Sequence, residues 1–584
     1  MRPRRGLRAG TGRCARPRVA ACACLVAFAV AFAAAGPPIN AQVADTLDVA
    51  SSLRALVASV TEAPLRPAPS SNEALGEFYA RRDWSTAWIA DGRLTPQAAA
   101  VIDFLGRAQE VGLDPEDYDA RRLHDWATRI AGAPASLTEQ TRFDVSLSRS
   151  LLLLLHHLSE GRVDPQSIGF SLPRPGGIDL AGVARDVSRA VDVSAAIRQV
   201  EPQYAGYRAL EQALTRYQAL AADSTLRTPY RPRRSVRPDE SYAEMPALRR
   251  LLVAFGDLVD TTTGSDTAGR HRYTPEMVAA VERFQERHGL EPDGIIGPST
   301  FAALRVPIAE RVVQMELSLE RWRWLPRRPP QRYVAINIPA FRLYAFEGDS
   351  TAAHAVLDMK VILGASQMRR ATPVFEGTMR QIVFRPYWDV PRSIASKELI
   401  PLIRPDTGYA VHQSLEIVRG SDDHARIYPF TPENLQRVAA GTLRLRQRPG
   451  SDNALGLVKF VFPNAHNVYL HGTPATELFA HARRDFSHGC IRVEDPAALA
   501  HYALGGQDGW TPPEIAAAMH GAEPLTVSLA RPVEVFILYA TSVVSRTGVI
   551  SFYPDLYGHD AALARALEQR RARAALSRPF AEDR

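Results

Sequence analysis

Two connectors rich in proline and arginine divide this chain of 584 residues into parts that differ in the spacing of their apolar residues. The first, RTPYRPRRSVRPDE, covers residues 227–240, and the second, WLPRRPPQR, covers residues 324–332. Proline fixes φ and lacks a backbone N–H, so neither connector can continue a helix or a central strand. The chain is also longer than one hydrophobic core usually organises, so the sequence predicts several domains.

The spacing of apolar residues changes at the second connector. Before it, segments such as TPQAAAVIDFLGRAQEVG (95–112) carry apolar residues at helical spacing. After it, YVAINIPAFRLYAF (333–346) alternates apolar and polar residues and is rich in β-branched side chains, which is typical of strands. The pattern predicts a multidomain α+β protein with a helical N-terminal scaffold domain at 72–240 and a mainly β domain at 332–545.

The mainly β domain is interrupted by residues 399–455, which are rich in proline, aspartate, glycine and arginine. A structureless loop of that length in a compact domain is usually functional, so we predict an inserted flap. Residues 306–331 are predicted to be a helical linker, and residues 546–584 a C-terminal tail.

The first 41 residues have the parts of an export signal: arginines, an apolar run at 19–35, and small residues near Ala41. This predicts a protein of the periplasm or cell envelope. An uncleaved signal anchor in the inner membrane stays open, because the run is just long enough to span a bilayer. The formal net charge of +7 comes from seven arginines in this segment, so the remaining chain is neutral and nucleic acid is not an expected partner.

The cysteine count is the most informative feature of the composition. Cys14, Cys22 and Cys24 lie inside the predicted signal, which leaves Cys490 alone in the exported chain. It cannot form an internal disulfide. A lone exported thiol is exposed to oxidation, so its presence needs a reason. Cys490 is either a nucleophile or a small buried hydrophobic residue.

The segment around this cysteine, HGTPATELFAHARRDFSHGC (471–490), places two histidine–glycine pairs before it. A thiol needs a base or a cation to react near neutral pH, and His471 and His488 are the nearest candidates for a base. NVYL (467–470) predicts a strand that runs into His471. A zinc site is the rival hypothesis, but one cysteine with H-x-C spacing matches no common closed zinc pattern, so no metal or cofactor is expected.

Upstream, TPEMVAAVERFQERHGLEPDGIIGPSTFAAL (274–304) predicts a helix capped by Thr274, two turns and a second helix. The segment resembles the small three-helix peptidoglycan-binding domain, which would cover residues 245–305. The residues on the motif positions are Phe284, Gln285, Gly289, Leu290, Asp293, Gly294, Gly297 and Leu304.

A histidine–glycine pair, a gap and then SHGCIRV resemble the signature of the L,D-transpeptidases. With RWRWLP (321–326) and PYWDVPRSIASKE (386–398), the chain is similar to the large multidomain branch of that family. The resemblance implies that Cys490 is the nucleophile and His471 the proton acceptor and donor. It also implies that the Gly472 carbonyl orients the imidazole and that the N–H groups of Gly489 and Cys490 bind the oxyanion.

Five further residues are candidates for the same site. His488 stays open as a base, a thiolate stabiliser or a structural residue. Arg492 projects on the same side of the strand as His488, and it could bind a substrate carboxylate or brace the loop. Ser487, Tyr469 and Trp388 are predicted to line the cleft.

The resemblance implies an enzyme that forms 3→3 cross-links in peptidoglycan through a cysteine thioester. Peptidoglycan would be its partner, and carbapenem-type inhibitors would acylate Cys490. Two alternatives remain: an L,D-carboxypeptidase that uses the same site with water, and a peptidoglycan-binding scaffold protein without activity.

Overall fold

A computed structural model describes residues 48–61, 69–133, 135–173, 175–226, 235–259, 271–348, 355–366, 370–420, 425–545 and 547–576. The predicted export signal lies outside these ranges, and so do three of the four cysteines. Residues 48–584 form one compact unit. No helix within the described ranges is long and apolar enough to cross a membrane.

The helices of the N-terminal half are α1 (Val49–Thr61), α2 (Pro69–Ala80), α3 (Pro96–Gly106), α4 (Ala120–Gly132), α5 (Leu137–Glu160), α6 (Leu180–Val187), α7 (Val193–Arg198), α8 (Ala205–Ala222), α9 (Met245–Phe255), α10 (Pro275–Arg287), α11 (Pro298–Leu304) and α12 (Ile308–Trp322). A two-stranded ribbon, β1 (Ile89–Ala90) and β2 (Arg93–Leu94), precedes α3. Helices α1 to α7 share one hydrophobic core that centres on the buried leucines of α5. The expected helical scaffold domain is thus present.

Helices α9, α10 and α11 enclose a separate small core. Thr274 caps α10 by accepting from the Met277 N–H. The buried Gln285 side chain bonds to the turn after α10, accepting from the Gly294 N–H and donating to the Ile295 carbonyl. These bonds give the Gln285 and Gly294 positions of the motif a structural role, because they close the turn between the two helices.

The C-terminal half contains β3 (Arg332–Asn337), β4 (Arg342–Glu347), β5 (Ala355–Ile362), β6 (Phe375–Phe384), β7 (Trp388–Asp389), β8 (Leu415–Arg419), β9 (Arg426–Tyr428), β10 (Arg444–Gln447), β11 (Val458–Val461), β12 (Leu470–His471), β13 (Ile491–Val493), β14 (Leu525–Leu538), β15 (Ser542–Val544) and β16 (Ile550–Phe552). Eight of these strands close into a barrel in the order β11-β12-β13-β5-β4-β3-β14-β6. Alternate residues of each strand fill its interior. The predicted α+β fold class is confirmed.

The predicted flap has a fold of its own, which differs from the structureless loop that we expected, and it begins with β7 at Trp388 instead of at residue 399. A four-stranded sheet in the order β7-β10-β8-β9 packs against α13 (Arg392–Ile394), α14 (Ile400–Ile403), α15 (Gly408–His412) and α16 (Pro432–Ala440). A five-residue π-helix, Ala395–Leu399, joins α13 to α14. Residues such as Ile403, Leu435 and Leu445 form a core within the flap, and this core accounts for its order.

The predicted linker and tail are also packed elements. Helix α12 lies against α8 in a shared core. After α17 (Pro496–Leu504) and α18 (Pro512–His520), the chain ends the barrel with β14 and then pairs β15 with β16. Helix α19 (His559–Leu576) follows, with Leu563 fully buried against the barrel core. The last described residues therefore belong to the folded body, which a sequence rich in arginine and alanine did not indicate.

Candidate active site

The pairing of the short barrel strands β12 and β13 places the predicted nucleophile and base on one face. Strands β12 and β13 are parallel, with Leu470 opposite Ile491 and His471 opposite Arg492. Leu470 and Ile491 are fully buried in the barrel interior. Because side chains alternate along a strand, His471 and the residues on either side of Ile491 project from the opposite face. Cys490 and His471 therefore share one face on adjacent strands.

His471 is buried, and its orientation is fixed by its neighbour. Its Nδ1 lies 2.6 Å from the Gly472 carbonyl oxygen. A carbonyl can only accept, so Nδ1 carries the proton and Nε2 is left as the acceptor of the neutral ring. This contact is the one that the family resemblance assigns to Gly472.

The resting site is a neutral thiol beside a neutral imidazole. Burial, Arg492 and Lys459 lower the pKa of His471 to about 3. Burial raises the pKa of the Cys490 thiol, and the N–H and hydroxyl of Tyr469 oppose that rise together with the two cations. Neither group is therefore charged near neutral pH.

Gly489 has a conformation that glycine alone adopts readily. Its φ is 120°, and the adjacent Ser487 side chain accepts from its N–H at 3.1 Å. The same hydroxyl donates to the Cys490 carbonyl oxygen at 2.6 Å. These bonds correct two predictions: Ser487 is buried in the loop instead of lining the cleft, and the Gly489 N–H is engaged rather than free for an oxyanion. The Cys490 N–H has no acceptor within the described residues and is the better donor.

Gly489→Ala is expected to lower the free energy of unfolding by about 1–3 kcal/mol, because a Cβ is strained at this φ whatever space surrounds it. Urea denaturation of the mature protein measures the loss. Gly450→Ala is the matched control, since its Cβ would meet no atom within 4 Å. Equal stability of both variants would contradict the strain.

His488 points away from the nucleophile and toward the flap. Its Nε2 lies 2.8 Å from Glu398 Oε1, on the π-helix, and Arg370 bonds to the same oxygen at 2.7 Å. Burial would raise the pKa of Glu398, but His488 and Arg370 hold it below its usual value. A carboxylate oxygen accepts, so His488 Nε2 is a donor and is not available as a base. Of the three roles left open by the sequence, the contact favours a structural one.

Tyr469 lies one residue before the β12 pair, beside Cys490, where the Ile491 N–H donates to its carbonyl. Burial raises the pKa of the Tyr469 hydroxyl, Cys490 raises it further, and the Trp388 side chain of the flap opposes the rise. The Tyr469 ring lies 5.6 Å from that of His471, centroid to centroid. That Tyr469 and Trp388 line a substrate cleft stays a prediction.

Sequence reasoning missed Lys459. It lies opposite His471 in the antiparallel pair of β11 and β12, and its Nζ is 4.2 Å from the centroid of the Tyr469 ring. The one available signal was a lysine between the buried residues Val458 and Phe460 of a short strand. That signal did not reveal which strand would lie beside β11.

Arg492 is partly buried on the face of the nucleophile. Burial lowers its pKa, while Cys490 and Glu477 oppose the change. Within the described residues no carboxylate lies within 4 Å of its guanidinium, so the cation is not used to brace the loop by an ion pair. The described residues also contain no cluster of three or more His, Cys, Asp or Glu side chains that could hold a metal ion.

Comparison with known proteins identifies three regions of the chain. Residues 331–533 match the family model described as "L,D-transpeptidase catalytic domain", residues 241–304 match "Putative peptidoglycan binding domain", and residues 73–214 match "Scaffold domain". A "Putative L,D-transpeptidase" of Haemophilus influenzae is 28% identical over 228 residues, which are 39% of this chain and 44% of the relative. The chain thus spans less than half the length of that relative.

A solved structure from Clostridium acetobutylicum, a fused Zn-dependent amidase/peptidase with a peptidoglycan-binding domain, is 13% identical. The match covers 53% of this chain and all of that chain, at a TM-score of 0.15, which is too low to indicate a shared fold. The family matches confirm the resemblance seen in the sequence. The chain therefore carries a region similar to the catalytic domain of the L,D-transpeptidase family, and this region follows regions similar to a scaffold domain and a peptidoglycan-binding domain.

Proposed function

We propose that this protein is a peptidoglycan L,D-transpeptidase that forms 3→3 cross-links through a thioester on Cys490. The observation that carries the proposal is the β12–β13 register, which sets Cys490 on the same face as a neutral His471 whose Nδ1–H is bonded to Gly472. The peptidoglycan-binding domain supports wall polymer as the partner. Export to the periplasm or cell envelope, with or without a retained anchor, belongs to the same proposal.

In the first half-reaction, Cys490 Sγ attacks the carbonyl at the L-centre of the third residue of a tetrapeptide stem, and its proton passes to His471 Nε2. The Cys490 N–H faces the developing oxyanion. When the tetrahedral intermediate collapses, the C–N bond breaks and His471 protonates the departing amine of the terminal D-alanine. The third residue remains on the enzyme as a thioester.

In the second half-reaction, the side-chain amine of the third residue on another stem attacks the thioester carbonyl. His471 Nε2 takes a proton from that amine and returns it to the departing sulfur. The thioester is exchanged for an amide, so the energy of the broken D-alanine bond is kept and no ATP is needed. Attack by water instead releases a tripeptide, which is the carboxypeptidase alternative.

The flap is suited to control which of these acceptors reacts. Its Glu398 bonds to His488, two residues before the nucleophile, and its Trp388 acts on the hydroxyl of Tyr469 by opposing the rise in its pKa. A flap held at Glu398 limits the access of water to the thioester.

Glu398→Gln is expected to raise the ratio of hydrolysis to cross-linking about two- to five-fold, because partly exposed ion pairs hold a loop only weakly. Chromatography of the tripeptide and dimer products gives the ratio. Glu433→Gln, an exposed glutamate on α16 of the same flap, is the matched control. An unchanged ratio in Glu398→Gln would show that the contact between Glu398 and His488 does not limit the access of water.

The function itself is tested with purified disaccharide tetrapeptide as the sole substrate. The expected product is a dimer whose new amide joins two third residues, identified by fragmentation in a mass spectrometer. Tripeptide without dimer would establish the carboxypeptidase, and no release of D-alanine would leave only a binding protein.

A further inference from the structure

The Phe486 side chain is exposed four residues before the nucleophile. Its relative exposure is 44%, and no other phenylalanine, tyrosine or tryptophan within the described ranges is exposed. Complete burial of such a ring would stabilise the fold by about 1.5–3 kcal/mol, so leaving it in water forgoes that gain. A single exposed apolar residue needs no ligand to explain it, so the surroundings of Phe486 decide whether it has one.

The loop that presents Phe486 is braced by the buried Arg484. The Arg484 guanidinium donates to the Val361 carbonyl of β5 at 3.2 Å and to the Phe341 carbonyl just before β4 at 2.8 Å. It also donates to the His481 carbonyl of its own loop at 2.5 Å. These bonds fix the backbone two residues before Phe486 to the wall of the barrel.

The residues on either side of Phe486 are also fixed. Asp485 Oδ2 accepts from the N–H and the hydroxyl of Ser366, at 3.1 and 2.8 Å. Ser487 Oγ donates to the Cys490 carbonyl oxygen. A ring held on a backbone that is tied at both neighbours loses little conformational freedom when a ligand stacks on it. The loop therefore presents a pre-organised apolar surface beside the active site.

The segment before Phe486 also contacts the domain that matches the peptidoglycan-binding model. Glu291, in the turn after α10, accepts from the Ala482 N–H at 2.6 Å. The His481 ring, one residue earlier, lies 5.8 Å from the Phe486 ring, centroid to centroid, at an interplanar angle of 77°. The exposed ring is thus continuous with the edge of that domain, which supports wall polymer as its ligand.

The length of a stem decides which part of that polymer can reach the ring. In the proposed reaction the third residue of the stem is attacked at Cys490, so two residues separate it from the sugar that carries the stem. Three residues of extended chain span about 10 Å, and the four steps from Cys490 to Phe486 span at most about 14 Å. The sugar that carries the donor stem can therefore come within reach of Phe486.

We propose that Phe486 is a stacking platform for the sugar ring that carries the donor stem, so that the enzyme binds glycan and peptide together. The inference rests on the proposed function and adds a saccharide to its donor. One face of a pyranose ring presents C–H groups that are weakly positive, and the face of an aromatic ring is negative. Stacking holds the third residue of the stem near Cys490 Sγ and so lowers the entropy cost of the attack.

The test compares two donors with the same tetrapeptide, one attached to a disaccharide and one free of sugar, by the rate of D-alanine release. The wild-type protein is expected to favour the disaccharide donor by about three- to tenfold in kcat/KM, the range of aromatic stacking. Phe486→Leu should lose that preference by slowing the disaccharide donor alone, because leucine keeps apolar bulk without a ring face. Phe486→Tyr should keep the preference. Leu137→Ala, which truncates an exposed leucine of α5, is the matched control and should leave both rates unchanged.

An unchanged rate of Phe486→Leu on the sugar-free donor shows that the variant is folded. Equal wild-type rates on the two donors would overturn the stacking platform while leaving acyl transfer intact. A preference that persists in Phe486→Leu would assign the saccharide to other residues and also overturn it. Equal slowing of both donors in Phe486→Leu would assign the ring to the support of the loop, with the same consequence. Failure to release D-alanine from either donor would instead refute the proposed function.

Discussion

Replacing Cys490 with alanine is expected to abolish release of D-alanine from a tetrapeptide stem, by roughly 10⁴-fold or more. The side chain is the sole thiol among the described residues, and the Ser487 hydroxyl next to it is bonded within the loop. The alanine variant should also fail to form a carbapenem adduct. In wild type, Sγ attacks the strained lactam carbonyl, the ring C–N bond opens, and the whole inhibitor stays attached.

The loss must be separated from misfolding. Cys490 is only partly buried and its thiol donates to the Asn467 carbonyl oxygen at a long 3.9 Å, so the alanine variant should keep its stability and its binding to peptidoglycan. Retained D-alanine release in a folded Cys490→Ala variant would contradict the assignment of the nucleophile.

His471→Gln is expected to lower kcat/KM by about 10²- to 10⁴-fold, the usual contribution of a general acid–base residue. The amide cannot shuttle the proton between sulfur and the leaving amine. Because the pKa of His471 is lowered to about 3, the ring is unprotonated well below pH 6 in the free enzyme. The wild-type profile of kcat/KM should therefore show no acid limb near pH 6.5 from this residue, and it should rise with pH as the thiol ionises.

The matched control for this prediction is His488→Gln, because both histidines precede a glycine in the same segment. His488 Nε2 donates to Glu398, so its loss should change kcat/KM much less, by under about tenfold. A loss in His488→Gln as large as that in His471→Gln would show that the base had been assigned to the wrong histidine.

The parts of the site that sequence reasoning predicted are those encoded by local patterns. The pattern in NVYL predicts a strand that runs into His471, and strand alternation predicts that Arg492 projects on the same side as His488. The helical scaffold and the three-helix domain follow in the same way from apolar spacing and from the cap at Thr274. The resemblance to the family supplied the pairing of Cys490 with His471.

The features of the site and the flap that sequence reasoning missed depend on contacts between segments distant in the chain. The flap helices α13 to α15 have three to five residues, too few for a periodic pattern, so the flap looked structureless. The partner of His488 lies 90 positions earlier in the chain. Lys459 stands beside His471 only through the pairing of β11 with β12, and Ser487 bonds to its own loop although a polar residue next to a nucleophile suggested a cleft.

The structure also ties the peptidoglycan-binding domain to the active-site loop. The Glu291 side chain, in the turn after α10, accepts from the Ala482 N–H at 2.6 Å. Ala482 belongs to the segment between His471 and Cys490. The domain that matches the peptidoglycan-binding model therefore contacts the loop between His471 and Cys490.

The central claim is that Cys490 carries the donor stem as a thioester. It is tested most directly by intact-mass spectrometry of the mature wild-type protein mixed with tetrapeptide donor and quenched in acid. We expect a mass increase equal to the tripeptidyl group on the peptide that contains Cys490. Hydroxylamine should remove this adduct. Release of D-alanine by a folded protein that never carries this adduct on Cys490, even when quenched within one turnover, would contradict the account.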